Sequence, residues 1–291
     1  MSSGKVIDFE NLTGVLVGDG AMGTSLQNKG LPSGEAPEKW NLEQPQKIVE
    51  VHKSFIEVGA DLIETNTFGG NYIRLKEEGL ENRMEKINYR AVELAQKAAQ
   101  KDTIVAGSVG PTGKMFKPLG VLTPEEALNA YTRQIEVLVE AGVDVIIIET
   151  FTALEEIEQA LSAAKEVEVP VIAQMSFQEN RKTMMGVGIE QFVELAEEYK
   201  VSVVGTNCTP GAELTVELIK EFNSWTDLPL SGFPNAGKPE LKDGEVYYPE
   251  QPEDFAAFVD EFVNNGVKIL GGCCGSTPET IRAIAQIISA G

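Results

Sequence analysis

The chain has 291 residues with 24 Lys+Arg against 45 Asp+Glu, a formal net charge of −21. That excess repels phosphate backbones and anionic headgroups, so neither nucleic acid nor a membrane surface is expected as a partner. The 42% hydrophobic and 24% charged fractions suit an ordinary globular protein. No stretch approaches the ~20 apolar residues of a membrane span, and Met1–Lys5 lacks the apolar core of a leader peptide.

Short apolar runs recur along the chain: Val15–Val17, Asp61–Thr65, Thr103–Ala106, Asp144–Glu149, Val169–Met175, Val201–Thr206, Leu228–Gly232 and Val267–Leu270. Each is short and rich in β-branched residues, as a strand buried on both faces should be. Helical patterns separate them. His52 sits in one with Ile48 and Phe55, which reads as a structural histidine with its polar atoms satisfied. Thr123-Pro124-Glu125-Glu126 offers an N-cap, a proline at the first helical position and a glutamate three residues after the cap. The segment Asn129 to Ala141 then places Ile135, Leu138 and Val139 near helical spacing, and Thr277-Pro278-Glu279 starts the last helix. Met184-Met185, after the fifth run, suits either core or a lid.

Strand–helix units in this number and length predict an α/β chain built as one (β/α)₈ (TIM) barrel, a single domain over 1–291. Gly30–Pro45 and Asn235–Tyr248 read as long polar loops after the first and seventh strands, on the C-terminal face where barrel active sites are built.

Chemistry should therefore follow the strands. Asp19 and Gly20 end the first, Glu64, Asn66 and Phe68 follow the second, and Ser108 and Gly110-Pro111-Thr112-Gly113 follow the third. Glu149 ends the fourth, Asn207-Cys208 the sixth, Pro234-Asn235 the seventh, and Gly271-Gly272-Cys273-Cys274-Gly275 the eighth. All three cysteines thus share one end of the barrel, an arrangement suited to a Cys₃ zinc site with the fourth position open. Adjacent strand residues point to opposite faces, so Cys273 and Cys274 can share a metal only where the backbone bends, as the neighbouring glycines allow. The competing reading is three small buried hydrophobes. Three thiols also make a poor disulfide framework, which points to a reducing, cytoplasmic compartment. One histidine cannot supply a multi-histidine metal site.

GDGAMG, at 18–23, is a literal G-x-G-x-x-G, so a nicotinamide-dependent oxidoreductase must be weighed. That fingerprint wants a second strand about 20 positions on, where this chain reads as loop. Gly20 and Ala21 better suit a turn of backbone amides that holds a carboxylate. Glu149 needs a cation or donors; either it pairs with a loop Lys or Arg, or Asp19 and Glu149 together hold an ammonium group.

The segments GDGAMGTSLQ, ETNTFGGN, GSVGPTG, IIIETFTALEE, GTNCTPG, SGFPNAG and GGCCGSTPETI together resemble the homocysteine S-methyltransferase family, from Gly18 to the last helix. The likeness is nearest to the homocysteine-binding barrel of cobalamin-dependent methionine synthase. The resemblance implies transfer of a methyl group to the thiol of L-homocysteine, giving L-methionine. It implies that Cys208, Cys273 and Cys274 ligate zinc, with Asn235 able to fill the fourth position until substrate displaces it. Asp19 and Glu149 would contact the homocysteine amino group and Gly20 its carboxylate, while Phe68 and Asn207 would line the pocket. The methionine synthases continue into pterin- and cobalamin-binding domains, so this chain is expected to be either a free-standing barrel or a fragment. Methylcobalamin carried by a separate corrinoid protein or domain is the expected donor. S-methylmethionine, S-adenosylmethionine or betaine is the alternative, with Trp40, Phe68 and Phe233 as candidates for a cage around a methylated cation. A metal-free, non-catalytic barrel is the other competing class.

Overall fold

The computed structural model describes residues 7–242 and 245–290. The leader reading of Met1–Lys5, residues 243–244 of the Asn235–Tyr248 segment, and Gly291 lie outside them.

Eight parallel strands form the central sheet. They are β1 (Leu16–Val17), β2 (Leu62–Glu64), β3 (Ile104–Val109), β4 (Val145–Phe151), β5 (Val171–Met175), β6 (Val203–Asn207), β7 (Leu230–Phe233) and, after a small hairpin of β8 (Glu240–Lys242) and β9 (Glu245–Tyr247), β10 (Val267–Leu270). The order is β1-β10-β7-β6-β5-β4-β3-β2. A bridge between Gly18 and Leu62 brings the two ends together, so the sheet is a nearly closed barrel ringed by helices. Asp61 seals the seam: its amide donates to the Val17 carbonyl at 2.7 Å, and its carboxylate accepts the Val17 amide at 2.9 Å.

Each of the eight apolar runs contains one barrel strand, but several strands extend beyond their runs. β3 continues to Val109, β4 passes through Glu149 to Phe151, and β6 takes in Asn207. The alternation explains this. Leu62, Ile104, Val145, Val203 and Ile269 point inward and form an inner apolar cluster joined by Phe9. Ile63, Val105, Ile146, Val204 and Leu270 point outward against the helices. Farther along the strands the inward positions turn polar: Glu64 two residues on from Leu62, and Ser108, Glu149 and Asn207 four residues on from Ile104, Val145 and Val203. These polar residues mark the site inside the barrel; β3 and β4 run on past Ser108 and Glu149, while β2 and β6 stop at Glu64 and Asn207.

The helix Pro124–Ala141 begins with the expected reciprocal Thr123–Glu126 cap and stops at Gly142, which has φ 92°. Gly30–Pro45 is not a plain loop: it holds a 3₁₀ turn, Pro37–Lys39, and a short helix, Trp40–Glu43. Met184 and Met185 are exposed, so they are not core. His52 is fully buried, but neither ring nitrogen has a hydrogen-bond partner, unlike the satisfied residue expected. Among the described residues no helix is long and apolar enough to cross a membrane.

Candidate metal centre and acid cluster

A cleft of ≈570 Å³ opens at the C-terminal mouth of the barrel, a size suited to small molecules. The three thiols reach it from different strands: Cys208 follows β6, and Cys273 and Cys274 follow β10. Their sulfurs all lie within 4.8 Å of one another. Tetrahedral ligation at about 2.3 Å requires sulfurs about 3.8 Å apart, so the trio fits a zinc ion with little adjustment.

The backbone is bent to achieve this. Cys208 has φ 54°, uncommon outside glycine and concentrated at functional sites. Its amide donates to the Phe233 carbonyl, and its carbonyl accepts from Ser176 Oγ and Asn235 Nδ2. The Cys273 amide donates to the Pro234 carbonyl, and the Cys274 carbonyl accepts the Ala236 amide. Gly271 has no room for a side chain, since a Cβ would sit 2.3 Å from the Phe233 ring. The thiols hydrogen-bond one another. Cys208 and Cys273 donate to Cys274, holding it far below the ordinary thiol range, at about 3. Contacts with Cys208 and Cys274, and burial, push Cys273 up. Tyr248 also donates to Cys274. Asn235 Oδ1 is buried without a partner, an unspent oxygen ligand beside the thiols.

Next to the thiols lie three acids, Asp19, Glu64 and Glu149. Burial is the leading cause that raises the pKa of each above the ordinary carboxylate range. The lysine or arginine partner considered for Glu149 is not found among the described residues. Glu149 Oε1 instead accepts from Ser108 Oγ at 2.5 Å, and Oε2 accepts from Asn207 Nδ2 at 2.9 Å. The Glu64 and Glu149 carboxyls adjoin each other, and after burial the Glu149 charge is what raises Glu64 further. Asp19 accepts the Glu64 amide at 3.0 Å. Such a cluster is a ready receptor for a cation.

Asn207 is buried behind this cluster. Its Oδ1 accepts the amide of Thr150, itself at φ 63°, so it holds the Glu149–Thr150 bend in place. Phe68 and Gly20 line the cleft; the Phe68 ring lies over Gly110, and Gly20 packs against Phe55. Trp40 and Phe233 do not line it. Trp40 belongs to the outer core under Lys47, and Phe233 belongs to the inner cluster, so the three-ring cage does not form. The G-x-G-x-x-G segment does not open an oxidoreductase's dinucleotide fold either. Gly18 packs on Phe233, and the next strand starts only at Leu62.

Glu64 and Ser108 had no assigned role in the sequence, although both follow apolar runs as Glu149 does. Thr150, Tyr248, Glu38 and Arg74 carried no signal at all.

Comparison with known proteins now adds to the geometry. The family model described as "Homocysteine S-methyltransferase" matches residues 16–288. A methionine synthase of Mycobacterium leprae is 30% identical over 94% of this chain, and one of Mycobacterium tuberculosis is 29% identical over 94%. The chain spans only about a quarter of these relatives, 24% and 25% of their lengths. Among solved structures, the Escherichia coli homocysteine methyltransferase MmuM superposes in its oxidized form with a TM-score of 0.79 at 26% identity, covering 94% of this chain and 96% of that one. Its metallated form shares the fold with a TM-score of 0.80 at 24% identity.

These structures correct the expectation of methylcobalamin as donor and of a corrinoid protein or domain as partner. The MmuM barrel accounts for 96% of its own chain, leaving no further domain there to carry a corrinoid.

Proposed function

Since this chain belongs to the homocysteine S-methyltransferase family, and with it to the methyltransferases, we propose that it acts as a single-domain barrel over 1–291 that methylates L-homocysteine to L-methionine with zinc and a small methylated onium donor. S-methylmethionine, S-adenosylmethionine and betaine are the donors of that class. The observation that carries the reading is the convergence of three thiols and a buried acid cluster on one cleft.

Cys208, Cys273 and Cys274 would hold the zinc, with Asn235 as an oxygen ligand in reserve. When bound there, zinc lowers the pKa of a substrate thiol so that it is present as thiolate at neutral pH. The chain's own residues do the rest. Asp19 and Glu149 receive the substrate ammonium, and the turn from Gly20 receives its carboxylate. Asn207 and Ser108 fix the Glu149 oxygens. The homocysteine sulfur then attacks the donor methyl carbon. The new S–CH₃ bond forms from the sulfur pair, the onium–CH₃ bond breaks with its pair remaining on the leaving atom, and the thiol proton goes to solvent. Phe68 alone of the three expected rings lines the cleft, which favours a sulfonium over the bulkier quaternary ammonium of betaine. Three reduced thiols also suit the cytoplasm.

The test supplies purified chain, zinc and homocysteine with each donor in a separate tube. Methionine formed from S-methylmethionine supports the proposal. Protein that retains zinc and yields no methionine from any of the three donors refutes it.

A further inference from the structure

The cleft is wider than homocysteine needs. Beyond the thiols and the acid cluster it runs outward beneath the 3₁₀ turn Pro37–Lys39, and two charged side chains there have no part in the site described above. Glu38 is buried, at 4% exposure, yet it is among the residues that line the cleft. It accepts the Gly69 amide at 2.6 Å and forms no ion pair among the described residues. Burial raises its pKa, and the nearby Arg74 charge offsets part of that rise.

Among the described residues, Arg74 is the one basic side chain lining a cleft that also carries five glutamates. Its ion pair with Glu77 is long, 3.6 Å, and Lys114 holds Glu77 more closely. The guanidinium therefore has donors to offer, and its position is constrained: a Cβ on Gly113 would lie 2.5 Å from Arg74 Nη1. Gly69 packs against both side chains. A Cβ there would meet Glu38 Oε1 at 2.9 Å and Arg74 Cγ at 3.2 Å. The missing side chain at Gly69 thus makes room for the Glu38 carboxylate and the Arg74 stem, the guanidinium reaches on to Gly113, and the two charges are near enough to interact.

We propose that this outer lobe recognises the methyl donor as a zwitterion, with Glu38 meeting its cationic end and Arg74 its carboxylate. The inference rests on the small-donor reading above and adds its specificity residues. An amino-acid sulfonium satisfies both charges, whereas a simple alkyl sulfonium satisfies only one. Glu38 and Arg74 are specificity residues here; neither touches the thiols.

The test uses zinc-loaded full-length protein and three probes: S-methylmethionine, trimethylsulfonium ion and homocysteine. Arg74→Gln removes the guanidinium from a half-exposed position. Glu38→Gln removes the charge but keeps an oxygen for the Gly69 amide. Calorimetry should show S-methylmethionine binding weakened tenfold or more in each variant. Homocysteine binding should stay within twofold, and trimethylsulfonium should be indifferent to Arg74→Gln. Unchanged S-methylmethionine affinity in both variants overturns the proposal, as does a parallel loss of homocysteine affinity, which would mean that the lobe merely shapes the inner site. Wild-type protein that binds homocysteine but not S-methylmethionine overturns it together with the small-donor reading. Protein that binds S-methylmethionine with the expected variant losses but makes no methionine leaves the lobe assigned and the reaction refuted.

Discussion

Replacing Glu149 by Gln tests the ammonium site with the least disturbance. Gln keeps the shape and removes the charge. Asn207 Nδ2 donates to Oε2 at 2.9 Å, so the Gln oxygen must face Asn207 and its NH₂ must face Ser108. The Ser108 hydroxyl can reverse and accept, so both neighbours stay bonded and the fold should be unaffected. Apart from the contact with the Glu64 carboxyl, what is lost is the charge-assisted contact to the substrate ammonium, worth about 1.5–3 kcal/mol. At about 1.4 kcal/mol per decade, homocysteine should bind roughly 10- to 150-fold more weakly. Removing a buried carboxylate that has no basic partner should leave the melting temperature unchanged or raise it. The assay is titration calorimetry of homocysteine into zinc-loaded protein, with zinc content measured in parallel. Unaltered affinity with full zinc would show that Glu149 serves the architecture of the barrel mouth and not the substrate.

The remaining predictions address the metal, the backbone and the buried histidine. Cys208→Ser, Cys273→Ser and Cys274→Ser should each lose zinc and turnover while keeping a native circular dichroism spectrum, because the barrel core does not include the metal; normal zinc in any one of them would break the Cys₃ assignment. Gly271→Ala would place a methyl 2.3 Å from the Phe233 ring and 3.0 Å from the Asp19 carbonyl. It should cost about 1–3 kcal/mol in denaturant melts and weaken zinc retention, and a wild-type midpoint would show that the close packing is dispensable. His52 is held neutral by burial, its pKa pushed down to about 4. The folded value lies below the unfolded one of about 6.5, so its stability contribution is complete above pH ~6.5 and falls by about 3 kcal/mol as the pH drops toward 4. His52→Met should remove that acid slope and, by eliminating two unpartnered buried nitrogens, stabilise the protein by about 1–3 kcal/mol at neutral pH. A difference between variant and wild type that does not change between pH 7 and 4 would contradict this account.

Local pattern determined a good deal by itself. Eight β-branched runs separated by capped helices specify a (β/α)₈ barrel, because strands buried on both faces and helices with one apolar face pack together in few ways. Once the barrel is drawn, Cys208 and the Cys273–Cys274 pair must lie at its C-terminal end, so their meeting was legible in order and spacing alone. What surrounds them was not. Glu149 looked like a strand end in need of a cation, but closure of the barrel gave it Ser108 from β3, Asn207 from β6 and the neighbouring Glu64 carboxyl from β2. These partners are at least 40 residues away in sequence, and only the inward pleat of the closed sheet brings them together. Trp40 and Phe233 suggested a cage by residue type, but packing placed one ring against the outer helices and the other among the inner strands. Glu38 and Arg74 had no signature at all. They come together at one cleft because a turn inside a segment that read as polar loop packs against Gly69. Periodicity reports which face a residue takes on its own element. Which residues from different elements share a cavity is decided by closure of the sheet and by the loops folded across its mouth.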